Sequence, residues 1–480
     1  MACQSLGQLL EQLDAAGQLR RVTAGVSGER EVAEITRRVC HGDGPAVLFE
    51  NLRGNQHRLV TNLFGSQRRI CLALGEDDLS AVGRRLAGEE QSSSPSFLKR
   101  WKTALQAGAD DPLAPRPVKT AACQQVVRPG RDVDLLGLPA PEFIERKQHR
   151  CLAGCTVITS DLSGGQRHVT AADLVIRDRK TFGIRWLPSQ AIAQDFRTFE
   201  QAGEKMPVAI VLGGPATVAL AAHAELPVEC DALVFAGLLA GAPIEVATCR
   251  ALALQVPAEA EIVLEGHVDP EATPFVVENV PTASGLFAAR STFHAIDVVV
   301  GTGRTEAVVP AIIHAKPPNE QLHIDRALAR IFLPIWQQAI PELVDFHYPD
   351  FAAEGLAVAS FRKSFPFQSR QVASALWGQA ATMATRMLVL VDERVDVRDD
   401  REVWFRVSAN VDPRHDVFFR EGPGIVGPDS SQRSVRSSHM ALDATSKLPD
   451  ERGGDAPAEI AADTETRQVV DKQWAEYGLD

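Results

Sequence analysis

Four leucines near the start, Leu6, Leu9, Leu10 and Leu13, recur at helical spacing between Ser5, which can cap the first turn, and Gly17, which can end it. A second helix is expected from about Glu29 to Cys40. Apolar runs Ala46–Phe49 and Arg58–Leu63 flank the turn-forming Asn51–Gly54, the pattern of a hairpin. Helical spacing over Arg68–Leu74 and Asp78–Ala87 completes a first α/β unit. Residues 89–116 turn polar and rich in Pro and Ser, and read as a connector around one short helix.

Between about 117 and 310 the texture changes to short β-rich runs cut by Gly and Pro. They are Thr156–Thr159, Val169–Ile176, Phe182–Leu187, Val208–Leu212, Ile244–Ala247, Ala260–Leu264, His294–Val300 and Ala307–Ile313, with helix only over Asp231–Leu239. Many short strands at this spacing predict a barrel-like sheet. Alternation then returns: helix Gln321–Gln337, strands Leu343–Phe346 and Ala357–Ser360, helix Ser369–Arg386, strand Leu388–Val391 and helix Asp400–Val407. This is an α/β layer around a largely buried sheet. A loose polar stretch, Pro449–Gly454, leads to a terminal helix over Thr464–Tyr477 that can dock on a neighbour.

Length agrees with this division. At 480 residues the chain exceeds one hydrophobic core, and the texture places units at 1–116, 117–315 and 316–480. Net charge −12 argues against nucleic acid as a partner, since phosphate binding needs a positive field. No apolar run approaches the ~20 residues of a membrane span, and the start lacks a signal-peptide pattern. The eight cysteines form no metal-type cluster, and Cys151 and Cys155 read as buried, reduced thiols. A cytoplasmic protein is expected.

Several residues can carry chemistry. His168 and Glu245 lie on separate strand-like runs, and an imidazole and a carboxylate brought together in a barrel can hold a divalent cation; taken alone, each is more simply a paired surface or core polar group. Asp173 interrupts the apolar run Thr170–Ile176, where a buried carboxylate is costly without a partner. It either points outward by alternation or faces a site containing a cation. Glu278 sits in a loop-like stretch where solvation is the default. His314 and Lys316 precede a Pro-Pro pair at a turn, a common place for site residues. Lys447, after Asp443-Ala444-Thr445-Ser446, can meet a phosphate as a point charge. No dinucleotide or P-loop glycine pattern and no nucleophile elbow occurs.

Segments along nearly the whole chain resemble the UbiD-like decarboxylases in order and spacing. They include Gly44-Pro45-Ala46-Val47-Leu48-Phe49-Glu50-Asn51, Asn62-Leu63-Phe64-Gly65, Ile184-Arg185-Trp186-Leu187, Glu245-Val246-Ala247-Thr248-Cys249, Ala258–Gly266, Lys316-Pro317-Pro318-Asn319-Glu320 and Ala441–Lys447. The resemblance implies an N-terminal α/β domain, a central split β-barrel that binds a flavin, and a C-terminal α/β domain that mediates oligomers, as a homodimer or homohexamer. It implies prenylated FMN (or FMN) with Mn2+ or Mg2+, a flavin prenyltransferase as supplier, and a small carboxylic-acid substrate. The implied reaction is reversible, non-oxidative decarboxylation of an aromatic or α,β-unsaturated acid.

The resemblance carries over unevenly at single positions. It places the cofactor among Arg185, Trp186, Gln190, Glu245 and Lys447. The metal ligands fall on His168, where the family has Asn, on Ser189, where it has His, and on an unchanged Glu245. The family's Arg/Glu/acid catalytic set falls on Asp173, Val277 and Thr282, so this is a divergent member. Asp173, Glu278 and His314 are then the candidate catalytic groups of a rearranged relay. A non-catalytic subunit and a different enzyme on the same barrel are the alternatives. The enzymatic reading rests on the central sheet enclosing a cavity for the flavin; with that hollow filled, only the architecture is expected to stand.

Overall fold

The computed structural model describes residues 1–28, 30–87, 112–141, 150–188, 190–352, 355–423, 436–452, 460 and 462–478. The expected connector helix, the 142–149 stretch and Ser189 lie outside these residues.

The N-terminal unit forms as the apolar spacing predicts. Ser5 caps helix Leu6–Ala15, its hydroxyl accepting from the Gln8 amide, and Leu6, Leu9, Leu10 and Leu13 are all buried. Strands Ala46–Phe49 and Arg58–Thr61 pair antiparallel, as the hairpin reading requires. Leu19–Val22 adds on one side, and Val308–Pro310, from far along the chain, adds on the other. This late strand ties the N-terminal sheet to the central region.

The centre is a closed antiparallel barrel of six strands. Their spatial order is Thr181–Ile184, Arg167–Ile176, Cys151–Ser160, Met206–Leu212, Ile262–Val268 and Phe287–Gly303, and pairing of the last with the first closes the ring. The expected hollow is absent from its interior. Alternate side chains of all six strands, among them Val157, Leu174, Phe182, Ile210, Leu264 and Ile296, pack into one apolar cluster, as expected for so small a barrel. Among the described residues, three helices belong to this region where one was expected: Ala191–Ala202, Ala216–His223 and Ala232–Ala240. Ala216–His223 has almost no polar face, so its apolar run gives no periodic signal and reads as strand or loop.

The C-terminal unit is a five-stranded sheet, in the order Leu343–His347, Leu356–Phe361, Met387–Asp392, Arg436–Asp443, Val417–Pro423. The first and last strands run antiparallel to their neighbours and the inner ones are parallel. The long helix expected over Ser369–Arg386 ends at Leu376, and a separate short turn covers Ala380–Thr382. Helix Glu320–Ala339 lies between this unit and the barrel. Asn319 caps it through Leu322 N at 3.0 Å, while the Glu320 carboxylate accepts from Phe64 N at 2.8 Å. The Asn319-Glu320 pair thus fixes where the helix starts and anchors it to the N-terminal unit. The terminal helix, Thr464–Gln473, buries none of its residues.

One irregularity in the barrel shapes the wall of the neighbouring cavity. The pairing between Cys151–Ser160 and Arg167–Ile176 shifts register between Leu152 and Cys155. Gly154 takes φ +69° in this bulge, and a Cβ there would lie 2.5 Å from Ile312 Cδ1. Bulges re-aim side chains and favour glycine at such backbone angles. Gly154→Ala is expected to destabilise the protein by about 1–3 kcal/mol, read as a lower midpoint in urea; an unchanged midpoint would show that the bulge relaxes freely.

Candidate active site

A cavity of about 460 Å³ lies on the outer face of the barrel, between strand Arg167–Ile176 and helix Glu320–Ala339. The helix contributes Gln321, Asp325, Leu328, Phe332 and Trp336, one face at helical spacing. Its volume falls within the range of small-molecule and cofactor sites.

Asp173 stands on the cavity wall. Odd-numbered residues of its strand face out of the barrel, and even-numbered Leu174 and Ile176 face in. Asp173 thus points out of the barrel by strand alternation, onto the cavity wall. Its carboxylate is fixed at both oxygens, Oδ1 accepting from Gly154 N at 3.1 Å and Oδ2 lying 2.8 Å from His314 Nε2. Burial acts to raise its pKa, but His314, Arg185 and the Gly154 amide outweigh it and hold the carboxyl down to about 2. The ionised carboxylate only accepts, so Nε2 of His314 carries the proton between them. His314, 141 residues away in sequence, is nearly fully buried.

Arg185 also lines the cavity. Its Nη1 donates to Ser291 Oγ at 3.1 Å and its guanidinium lies over the Phe293 ring. Burial lowers its pKa, with Asp173 opposing, and an arginine remains charged through such a shift. Among the described residues no carboxylate lies within ion-pair distance of it. A cavity-facing cation in this state suits an incoming anion.

His223, which sequence reasoning passed over, completes the cluster at the end of helix Ala216–His223. Gln321 Nε2 lies 2.9 Å from Asp325 Oδ1, which orients the amide, and 3.4 Å from His223 Nδ1. Nδ1 is thereby the acceptor and Nε2 holds the proton. Burial pushes His223 down to about 4, with Asp173 opposing, so it is a neutral donor near neutral pH. Its position after an all-apolar helix gave no pattern by which to find it.

The remaining expected site residues divide. Trp186 lines the cavity and stacks on His294, with ring centroids 4.5 Å apart and planes 7° from parallel. Gln190 also lines it and accepts from Leu187 N at 2.8 Å. Glu278 does not join them. It is exposed on strand Phe275–Pro281, opposite Arg290, where a loop was expected. Period-two alternation turns Val277 inward and Glu278 to solvent.

Lys447 is not on the cavity wall. It is buried in the C-terminal unit, donating to Asp443 O at 2.7 Å and lying 3.2 Å from Asp416 Oδ1. Glu245 pairs with Arg116 in a separate three-stranded sheet, also away from the cavity. His168 lines the cavity but is buried against Asp195, 2.9 Å from its Nδ1. Burial lowers the His168 pKa, and Asp195 more than reverses this, raising it overall. The expected pairing of His168 with Glu245 around one cation is therefore not formed.

Comparison with known proteins agrees with this architecture. Three domain models of 3-octaprenyl-4-hydroxybenzoate carboxy-lyase match: the N-terminal domain over residues 10–86, the Rift-related domain over 116–317 and the C-terminal domain over 323–444. An uncharacterised protein of Synechocystis sp. is 31% identical over 485 residues, spanning 98% of this chain and 95% of that protein. Vanillic acid decarboxylase of Sedimentibacter hydroxybenzoicus, in its closed form, has the same fold. Its TM-score is 0.84 at 23% identity, with all of both chains covered. HmfF of Pelotomaculum thermopropionicum, solved with FMN, gives 0.78 at 24% identity, covering 98% of this chain and 100% of that one. With its closed barrel, its three collinear domain matches and relatives that span it from end to end, this chain belongs to the UbiD family.

Proposed function

We propose that the chain is a flavin-dependent carboxy-lyase acting on an aromatic or α,β-unsaturated acid, with Asp173 and His314 as its acid–base pair. The observation that supports this most is the Asp173–His314 hydrogen bond on a cofactor-sized cavity, with the Arg185 cation on the same wall. The family description names a carboxy-lyase, and HmfF relatives bind FMN and prenylated FMN. The cavity suits a flavin ring by its volume and by the aromatic face of Trp186 beside small apolar residues such as Ala171 and Ala191.

A flavin held in this cavity, beside Trp186 and Gln190, would supply the electron sink for the charge left as CO2 departs. This chain's residues then do three things. Arg185 takes the substrate carboxylate by charge-assisted hydrogen bonds, a duty that position 173 cannot perform as an anion. Asp173, fixed at both oxygens, keeps the proton on His314 Nε2 in place, and protonation of the product carbon draws on this pair. Leu328, Phe332 and Trp336 of helix Glu320–Ala339 give the facing wall an apolar surface for the substrate to pack on.

Protein co-expressed with a flavin prenyltransferase is expected to be coloured and to release CO2 from aromatic acids; colourless, inert protein would instead favour a non-catalytic subunit. Asp173→Asn and His314→Gln are each expected to lower kcat by about 10²-fold or more, the usual range for general acid–base groups. Glu278→Gln, on the exposed strand face, is expected to leave turnover unchanged, and a comparable loss there would place the relay wrongly.

Acid sensitivity offers a second check. An unfolded aspartate protonates at about pH 4, whereas folded Asp173 does so only at about 2. The stabilisation from its depressed pKa is thus present above about pH 4 and is lost as pH falls toward 2. His314→Leu removes the strongest counter to burial, so the folded pKa of Asp173 rises toward or above its unfolded value; the variant is less stable at neutral pH, and its loss of stability between about pH 4 and 2 shrinks or reverses. Urea midpoints measured from pH 7 to 3 read this directly, and an identical pH dependence in the variant would contradict it.

A further inference from the structure

The metal position implied by family resemblance is closed in this chain by its own hydrogen bonds. His168 is 6% exposed. Its Nδ1 lies 3.0 and 2.9 Å from the two carboxylate oxygens of Asp195, and its Nε2 lies 3.2 Å from the Val228 carbonyl oxygen. A carboxylate and a carbonyl only accept, so each ring nitrogen donates. An imidazole that donates from both nitrogens has no lone pair for a metal, because a ligating histidine must be neutral at the bound nitrogen.

The arrangement is built rather than incidental. Asp195 is 2% exposed, on helix Ala191–Ala202, and also accepts from Thr159 Oγ1 at 2.6 Å. Thr159 sits directly opposite His168 across the strand pair Cys151–Ser160 and Arg167–Ile176. Three buried polar side chains from two strands and one helix thus satisfy one another beside the cavity. Glu245, the family's carboxylate ligand by resemblance, is committed to Arg116 in another sheet. Among the described residues no group of three His, Cys, Asp or Glu side chains is placed to hold a metal ion.

We infer that the His168–Asp195 ion pair closes the position where the resemblance places a divalent cation, so that this chain binds no metal there and any phosphoryl-bearing ligand it takes is held without one. The identity of that ligand as a flavin rests on the function proposed above; the closure of the metal position does not. The imidazole that stands at position 168 in place of the family's amide thus occupies the metal position with an internal ion pair.

Two titrations of the full-length protein test this. In the first, Mn2+ is added with and without FMN and free Mn2+ is followed by its electron paramagnetic resonance signal. In the second, FMN fluorescence is titrated in EDTA or in excess Mn2+. The expected result is no Mn2+ bound under either condition, and an FMN Kd equal within about twofold in EDTA and Mn2+. One Mn2+ bound per chain, or a tenfold tightening of FMN by Mn2+, would overturn the inference. Failure of FMN to bind at all, with Mn2+ still unbound, would remove the flavin reading and leave the metal-free position standing. As a control on mechanism, Asp195→Asn withdraws the carboxylate that keeps Nδ1 protonated. A gain of Mn2+ binding in that variant supports the role of the ion pair, and Mn2+ binding equal in both proteins refutes it.

Discussion

A single carboxylate inside the protein, Asp173, organises the site. A charge taken out of water is tolerated only when it is paired and hydrogen-bonded, and every neighbour of Asp173 answers that requirement. The bulge at Gly154 turns a main-chain amide toward one oxygen, the chain beyond the last N-terminal-sheet strand brings His314 to the other, and Arg185 adds a positive charge nearby. A bulky residue at 154 would meet Ile312, and a regular strand there would aim the amide along the ladder instead. The local irregularity on this wall is therefore what allows an anion to stand where the family resemblance expects a cation.

The same logic of internal satisfaction recurs beside the cavity and away from it. His168 is matched by Asp195, Lys447 by Asp443 and Asp416, Glu245 by Arg116. Each of these positions is one where resemblance suggested a cofactor or metal contact, and each side chain has found its partner within the protein. Arg185 differs, holding only a neutral hydroxyl among its side-chain hydrogen bonds to the described residues. His223 differs too, kept neutral by burial with its tautomer set by the Asp325–Gln321 chain. Among the described residues the cavity thus presents a cation with no carboxylate within ion-pair distance, a neutral donor and a carboxylate–imidazole pair, a set suited to orienting a small acid and managing its proton.

Much of this was legible in the chain of residues. The leucine spacing after Ser5, the hairpin around Asn51–Gly54 and the density of short strands each became the predicted element, because burial and turn chemistry act locally there. Asp173 and His314 stand among three candidates in the sequence, with Glu278, but nothing there shows that these two meet, since 141 residues separate them. Three things were hidden for physical reasons. A helix buried on all sides, such as Ala216–His223, has no periodic signal. The filling of the barrel interior depends on which strand closes the ring, a non-local property. Exposure of Glu278 follows from a strand register that Asn279-Val280-Pro281 disguised as a loop.

The most direct test is a crystal structure of the chain loaded with its flavin. The account predicts the tricyclic ring on the outer face of the barrel, in the cavity beneath helix Glu320–Ala339, within hydrogen-bonding reach of Arg185 and the Asp173–His314 pair. A flavin seated anywhere else, or Asp173 and His314 drawn apart with the ring in place, would contradict it.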